Sequence, residues 1–246
     1  MKVIALYSIK GGVGKTTAAA NLAYLSAMDY HRTLLIDLDP QGAASYYFKV
    51  KPHKKLNSKK FADKNSIDRF IRGSDYENLD LLPADISFRK LDIRFDDSNK
   101  PLKQLKQILS PLKSDYDVII LDCPPNLTLL SENIFEASDI VMVPTIPTTL
   151  SVRTLDMLKE FFKQHDLNRK KIKPFFSMLE SRKSLHKHTI AEHLSSDKPA
   201  FFKNCIPYNS AVERMGINRE PVMLTSPRST GAYAFKRLWE ELKGQL

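Results

Sequence analysis

A glycine-rich stretch near the N-terminus has the residue types and the context of a loop that binds phosphate. It reads Lys10-Gly11-Gly12-Val13-Gly14-Lys15-Thr16-Thr17 and lies between an apolar run and a helical pattern. Glycines let the backbone turn tightly and direct successive N–H groups at phosphate oxygens, and the start of the following helix adds its positive dipole end. In such loops the lysine contacts the β- and γ-phosphates and the next hydroxyl binds Mg²⁺, which predicts these roles for Lys15 and Thr16.

The loop departs from the general pattern G-x-x-x-x-G-K-[ST] at its first position. That glycine would fall on Ile9, and a second lysine, Lys10, follows it. Lys10 could be an ordinary solvated cation, but its place between a strand and a helix favours a role at phosphate. The second lysine predicts additional charge neutralisation, either of the chain's own nucleotide or of one in a partner subunit.

Three aspartates each follow an apolar run that is typical of a buried strand. They are Asp37, Asp39 and Asp122. Open α/β sheets bind ligands at the carboxyl ends of their strands, so these side chains are expected at one edge of the sheet. Mg²⁺ prefers oxygen ligands and keeps several of its waters. Capping of a helix or turn is the alternative for any one of them, and for Asp37 most of all.

The elements that position these residues alternate along the chain. Strands are predicted at residues 2–8, 33–38, 79–82, 117–121, 139–144, 172–179 and 201–206. Helices are predicted near residues 15–29, 65–72, 101–112, 127–136, 151–165, 184–195 and 229–243. This alternation predicts an α/β fold: one doubly wound, mostly parallel sheet with helices on both faces, forming a single domain over residues 1–246.

Composition narrows the class of protein. The chain has 246 residues, no apolar run long enough to span a membrane and no signal-peptide core, so a cytoplasmic protein is expected. Two cysteines, Cys123 and Cys205, cannot form a disulfide framework. The net charge of +10 permits a polyanionic partner but does not require one. The lysine-rich stretch 49–64 has little apolar content and is predicted to be an exposed loop.

Several motifs resemble those of the ParA/MinD family of deviant Walker A ATPases, and specifically its ParA branch. The resemblance rests on Lys10–Thr17, on Leu34–Gly42, on the Walker B-like run Ile119–Pro125, and on Ile206-Pro207 and Ser229–Tyr233 near the C-terminus. It implies a slow ATPase that uses ATP and Mg²⁺ and forms a homodimer around two nucleotides.

The resemblance also implies a role for individual residues. Lys10 would cross the dimer interface to the partner's phosphates, and Gly11 would allow the two backbones to approach. Asp39 would position the attacking water, and Asp37 and Asp122 would support Mg²⁺ together with Thr16. Nucleotide contacts are implied for Lys10, Gly11, Gly12, Val13, Gly14, Lys15, Thr16, Thr17 and Pro207.

Proteins of the ParA branch bind DNA without sequence preference in the ATP state and so associate with the nucleoid. By this resemblance, basic residues on the dimer face would contact DNA, and a ParB-like or adaptor protein would stimulate hydrolysis. The cargo would be a plasmid, a chromosome region or a protein assembly. The candidates for DNA contact are Arg182, Lys183, Lys187, Lys203, Arg214, Arg219, Arg228, Lys236 and Arg237, together with the lysines of the stretch 49–64.

Other classes of protein share parts of this pattern. A MinD-like regulator would need an amphipathic C-terminal helix beyond the core, and none is expected, so no stable membrane anchor is predicted. A small-molecule enzyme of the dethiobiotin synthetase type would not need Lys10 or the box around Asp39. The run Tyr208–Gly216 differs from ParA proteins, which often have arginine after the proline, and this leaves the contacts to the nucleotide base open.

Overall fold

The computed structural model describes residues 1–195 and 201–246 and contains a seven-stranded sheet. The strands are β1 (Lys2–Leu6), β2 (Thr33–Asp37), β3 (Arg72–Gly73), β4 (Leu79–Leu82), β5 (Val118–Asp122), β6 (Ile140–Thr145) and β7 (Ile172–Phe176). Their order is β3-β4-β2-β5-β1-β6-β7, and every pair is parallel except β3 with β4. The predicted α/β fold class is therefore confirmed.

Helices connect the strands and cover both faces of the sheet. The α-helices are α1 (Lys15–Met28), α2 (Ala43–Tyr47), α3 (Ser58–Phe61), α4 (Leu91–Asp96), α5 (Gln104–Leu109), α6 (Leu129–Ala137), α7 (Thr149–Gln164), α8 (Ser184–Leu194), α9 (Ser210–Glu213), α10 (Met215–Asn218), α11 (Val222–Thr225) and α12 (Thr230–Lys243). Short 3₁₀ helices occupy residues 67–70, 86–90, 101–103, 110–114 and 169–171. In the described part of the chain, no helix has the length and apolar character needed to cross a bilayer.

Burial on both faces explains why the central strands are almost continuously apolar. On β5, Ile119 and Leu121 pack into a core formed with α4, α5, α6 and α7, whereas Ile120 packs on the other face against α1 and α12. All five residues of β2 and of β5 are buried. The sheet therefore holds the carboxyl ends of β1, β2 and β5 rigidly beside one another.

Two of the predicted elements differ in the structure. Residues 201–206 do not form a strand. The Phe202 N–H donates to the Pro174 carbonyl oxygen and the Ile206 N–H to that of Phe176, both at 2.8 Å, but these bonds do not form a continuous ladder, and the nearest bridge is an isolated one between Leu179 and Pro207. The predicted helix 65–72 is a 3₁₀ turn over residues 67–70 that leads into the short antiparallel strand β3. An apolar run that is buried beside a strand satisfies the pattern for a buried strand even where its backbone forms only scattered hydrogen bonds with that strand.

The lysine-rich stretch 49–64 has more internal structure than the expected loop. It contains α3, and Leu56 and Phe61 are buried in the core. The Asn57 side chain caps α3 by accepting from the Lys60 N–H at 3.0 Å. The burial of Leu56 and Phe61 therefore holds in place a segment whose remaining residues are mostly polar.

Candidate nucleotide and metal site

The glycine-rich loop connects β1 to α1 and adopts backbone angles that side chains disfavour. Gly12 and Gly14 have positive φ values of 69° and 91°, in the left-handed region that suits glycine. A Cβ at Gly14 would lie 3.1 Å from the Ser177 hydroxyl oxygen, so the position is also sterically restricted. Gly14 is the N-cap of α1, and no side chain of residues 1–195 or 201–246 caps this helix. The first N–H groups of α1 therefore remain available to an anion.

Lys15 begins α1 and lies well inside the protein surface, since only 7% of the residue is exposed. Burial lowers the pKa of its ammonium group, and attraction to Asp122, Cys123 and Asp39 opposes that shift. A cation held beside several acidic groups at a helix N-terminus matches the position predicted for the phosphate-binding lysine.

Asp37 and Asp122 end neighbouring strands and are paired in register, so their carboxylates lie side by side beneath the loop. Both residues are fully buried. Asp37 Oδ2 accepts hydrogen bonds from the Ser45 N–H at 2.8 Å and from the Ser45 hydroxyl at 2.6 Å. Asp37 Oδ1 and both oxygens of Asp122 have no hydrogen-bond partner among the residues that the structure describes. Buried acceptors without partners are costly, which indicates that a further group belongs between them.

The pKa shifts of this pair have the same origin. Burial, offset in part by the two hydrogen bonds from Ser45, raises the pKa of Asp37 to about 6. Burial raises the pKa of Asp122 well above its usual value, the neighbouring Asp37 raises it further, and the nearby Thr16 hydroxyl and Lys15 lower it. The local field therefore favours a cation at this point.

These donors fit Mg²⁺ only together with other oxygen ligands. Within residues 1–195 and 201–246, no group of three or more His, Cys, Asp or Glu side chains could hold a metal ion by itself. Two carboxylates and the hydroxyl of Thr16 instead match an ion that completes its coordination with phosphate oxygens and water. The geometry thus fits a metal that arrives with a nucleotide.

Asp39 lies just beyond β2 and is only partly buried. Its Oδ1 accepts from the Gln41 N–H at 3.0 Å, and its carbonyl oxygen accepts from the Gly42 N–H at 2.9 Å. These bonds form a turn that leads directly into α2, where Ser45 contacts Asp37. Nothing in the sequence pattern indicated the role of Ser45, because its partner lies across a turn rather than within a motif.

Lys10 contacts its own chain. Its ammonium Nζ donates to the Ser151 hydroxyl at 3.1 Å, near the start of α7. Gly11 beside it is exposed, and a Cβ at that position would have no neighbour within 4 Å. The side of the loop away from the sheet is therefore open.

A pocket adjoins the loop on the side of α1. It is lined by Gly14, Thr17 and Ala18 and, from the C-terminal part of the chain, by residues that include Pro207, Tyr208, Asn209, Glu213 and Phe235. The Tyr208 hydroxyl donates to the Glu213 carboxylate at its rim. The pocket is therefore continuous with the glycine-rich loop through Gly14 and Thr17. Sequence reasoning indicated Pro207 here but gave no role to Tyr208, Asn209 or Glu213.

The nine basic residues predicted to contact DNA do not form one free cationic surface. Arg182, Lys187, Arg214 and Arg228 are exposed. Lys183 pairs with Glu180 at 2.6 Å, and Arg219 is engaged with Tyr46. The remaining three, Lys203, Lys236 and Arg237, line a groove that also contains Glu240 and Glu241. Acidic neighbours thus offset much of this charge.

A phosphate-binding loop between a parallel strand and a helix, beside carboxylates at the neighbouring strand ends, defines a P-loop ATPase. Comparison with known proteins agrees. A family model described as an AAA domain matches residues 1–174. The sporulation initiation inhibitor protein Soj of Bacillus subtilis is 33% identical, and the chromosome partitioning protein ParA of Myxococcus xanthus is 28% identical. Each alignment covers 98% of this chain, and they cover 98% of Soj and 87% of ParA.

A solved structure shows the same architecture over its whole length. It is a putative plasmid partition protein from Borrelia burgdorferi, bound to AMPPNP, with 25% identity and a TM-score of 0.83 over 100% of this chain and 99% of that one. The chain belongs to the ParA/MinD family of deviant Walker A ATPases.

Proposed function

We propose that the chain is a partition ATPase. In this proposal it dimerises around ATP and Mg²⁺, binds DNA without sequence preference in that state, and positions a plasmid, a chromosome region or a protein assembly. The three unpartnered oxygens of Asp37 and Asp122, beside Lys15 and Thr16, carry the nucleotide part of the proposal. The partition role rests on the likeness to Soj, to ParA and to the plasmid partition protein. In this proposal, residues 1–246 form a single ATPase domain.

Each residue of the site has a proposed task. The N–H groups of Gly11, Gly12, Val13, Gly14 and the residues after them cradle the phosphates, and Lys15 neutralises the β- and γ-phosphates. Pro207 and Thr17 border the base and ribose. Thr16, Asp37 and Asp122 hold Mg²⁺, directly or through its waters. The metal supplies charge neutralisation at the phosphates when bound.

Asp39 is proposed to orient the water that attacks the γ-phosphate. Its partial exposure and its place on a turn leave it able to reach the phosphates, unlike the buried Asp37. Phosphoryl transfer depends mainly on positioning and on charge stabilisation. An active site that lacks one of the stabilising groups therefore hydrolyses ATP slowly. A ParB-like or adaptor protein would complete it and accelerate turnover.

Dimerisation is proposed to use the open side of the loop. Lys10 would leave Ser151 and reach the phosphates held by a second copy of the chain, and Gly11 would permit close approach of the two backbones. The ion pair between Lys10 and a triphosphate is much stronger than a hydrogen bond to a hydroxyl. ATP bound to the second copy would therefore favour the movement of Lys10 from Ser151 to the phosphates.

Measurement of DNA binding in different nucleotide states tests the proposal. The purified chain is titrated onto fluorescent duplex DNA of mixed sequence with ADP, ATP or a slowly hydrolysed ATP analogue, across a salt series. Binding that requires a triphosphate and weakens steeply with salt is expected. Absence of DNA binding in every nucleotide state would refute the DNA-dependent part while leaving the ATPase in place.

A further inference from the structure

The stretch 49–64 carries a large share of the chain's charge. Its seven lysines and one aspartate give it a net charge of +6, while the whole chain has +10. Lys49 pairs with Glu220 at 3.0 Å. The other six are exposed, and none of them forms an ion pair with a residue that the structure describes. These six form what we call the lysine surface: Lys51, Lys54, Lys55, Lys59, Lys60 and Lys64.

The backbone beneath the lysine surface is fixed. Leu56 and Phe61 are buried in the main core, and the Phe61 ring packs 4.8 Å from that of Phe88. The Ser58 N–H donates to the Ser87 hydroxyl at 2.7 Å, and the His53 ring lies 5.8 Å from that of Phe70. The lysines thus project from a structured segment, so binding a partner costs little backbone entropy.

We propose that the lysine surface is the main site at which the chain contacts the phosphates of DNA. The proposal rests on the function proposed above and assigns its DNA contacts mainly to one of the two sets of basic residues that the sequence offered. Unpaired lysine ammonium groups bind phosphates as point charges and carry no base-reading geometry, as binding without sequence preference requires. Lys203, Lys236 and Arg237 are less suitable, because Glu240 and Glu241 share their groove.

The distribution of apolar residues favours DNA over an anionic membrane. A segment that binds a bilayer surface places apolar side chains outward to enter the headgroup region. Here Leu56 and Phe61 point into the core and are at most 3% exposed, and Val50 is packed against the other core cluster. The outward side of the segment therefore presents charge without an apolar anchor.

Dimerisation would make DNA binding by the lysine surface dependent on ATP. One protomer presents one lysine surface, and a dimer presents two that are held in fixed relation. Two linked contacts bind a continuous polymer far more tightly than one, because the second contact forms at high effective concentration. Weak binding by monomers and strong binding by dimers then follow without any rearrangement of the lysines.

A quadruple variant that removes four positive charges from the lysine surface tests the proposal. Lys54→Gln, Lys55→Gln, Lys59→Gln and Lys60→Gln are combined in the full chain, and Lys90→Gln, Lys103→Gln, Lys113→Gln and Lys170→Gln serve as the matched control at exposed positions elsewhere. Both variants remove the same charge. Binding to fluorescent duplex DNA is measured with the ATP analogue across a salt series, and the unfolding midpoint of each variant verifies that it folds.

We expect the first variant to bind DNA about tenfold or more weakly, and the slope of log K against log salt to fall by about 0.9 for every phosphate contact removed. The control should bind nearly as tightly as the natural chain. Equal losses in both variants would mean that only net charge matters and would overturn the assignment. Unchanged binding by the first variant would overturn it while leaving DNA binding itself intact.

Binding to vesicles of anionic phospholipid, measured in parallel, tests the alternative that the lysine surface contacts a membrane. If the natural chain binds such vesicles through these lysines and does not bind DNA, both the surface assignment to DNA and the DNA-dependent function are wrong. If it binds DNA and not vesicles, the assignment stands or falls on the two lysine variants alone.

Discussion

The guanidinium of Arg219 lies over the ring of Tyr46, 4.3 Å from its centroid, and its Nε donates to the Tyr46 carbonyl oxygen at 3.0 Å. Tyr46 belongs to α2, and the residue before it, Ser45, supplies both hydrogen bonds to Asp37. Beside this contact, Lys49 pairs with Glu220. The C-terminal part of the chain therefore supports the helix that fixes a carboxylate of the candidate metal site.

Replacing Arg219 should disturb the metal site from a distance. Arg219→Ala removes one cation–π contact and one hydrogen bond, and we expect a loss of about 1–2 kcal/mol in the free energy of unfolding. Because α2 positions Ser45, the concentration of Mg²⁺ needed for half-maximal ATP binding should rise. Urea unfolding and Mg²⁺ titrations measure the two effects.

Arg214→Ala is the control for this substitution, since Arg214 is exposed on the same stretch. Arg219→Lys keeps a cation over the ring but loses the fixed Nε–H, and it should restore part of the effect. A purely stabilising role for Arg219 would appear as lower stability with an unaltered Mg²⁺ requirement.

Asp39→Ala should separate nucleotide binding from hydrolysis. The side chain is partly exposed, and within the described part of the chain its hydrogen bond is the one from the nearby Gln41 N–H, so its loss leaves the buried pair and the loop in place. We expect ATP binding and dimerisation to persist while turnover in the presence of Mg²⁺ is lost. Single-turnover assays and size-exclusion chromatography with ATP measure this. Turnover at the natural rate would exclude Asp39 as the residue that orients water.

Lys10→Ala should prevent ATP-dependent dimerisation while the chain retains weakened ATP binding. The matched control is Ser151→Ala, which removes the partner of Lys10 in the free chain but keeps the charge. This control should dimerise at least as well as the natural chain, because Lys10 is then released. Analytical ultracentrifugation with the ATP analogue distinguishes the two. An ATP-dependent dimer of Lys10→Ala would contradict a role across the interface.

The acid stability of the fold should depend on Asp117. Its hydrogen bonds with Arg32 hold its pKa at about 2, well below its usual value. A carboxyl with a lowered folded-state pKa stabilises the fold above its usual pKa, and this contribution is lost as pH falls from about 4 to about 2. Both side chains are about half exposed, so the effect is modest.

Asp117→Asn removes the titrating group, so its stability should depend less on pH within that window than the stability of the natural chain. Urea unfolding at several pH values measures the difference. Asp115→Asn is a suitable control, because Asp115 is exposed and forms no ion pair with any described residue. A parallel acid response of Asp117→Asn and the natural chain would show that the pair contributes nothing.

The sequence predicted the parts of the site that are encoded locally. The loop around Lys15 needs specific residues at fixed spacing, and Asp37 and Asp122 follow apolar strands that any parallel sheet brings to one edge. Arg219 and Tyr46 could not be paired in this way, because 173 positions separate them and neither belongs to a motif. The predicted strand at 201–206 is absent for a related reason, since apolar character indicates burial and does not show whether the backbone forms a continuous ladder or only separate hydrogen bonds, as Phe202 and Ile206 do with β7.

The unpartnered oxygens of Asp37 and Asp122 have a consequence for the lifetime of the protein. Two buried carboxylates that share a single nearby cation, Lys15, weaken the fold at its centre, and any ligand that brings a further cation to them is bound by the folded chain and not by the unfolded one. Nucleotide supply would thus set how readily the chain is unfolded and degraded. Molecules that have released their nucleotide would be the vulnerable ones, so the abundance of the protein would follow the energy state of the cell.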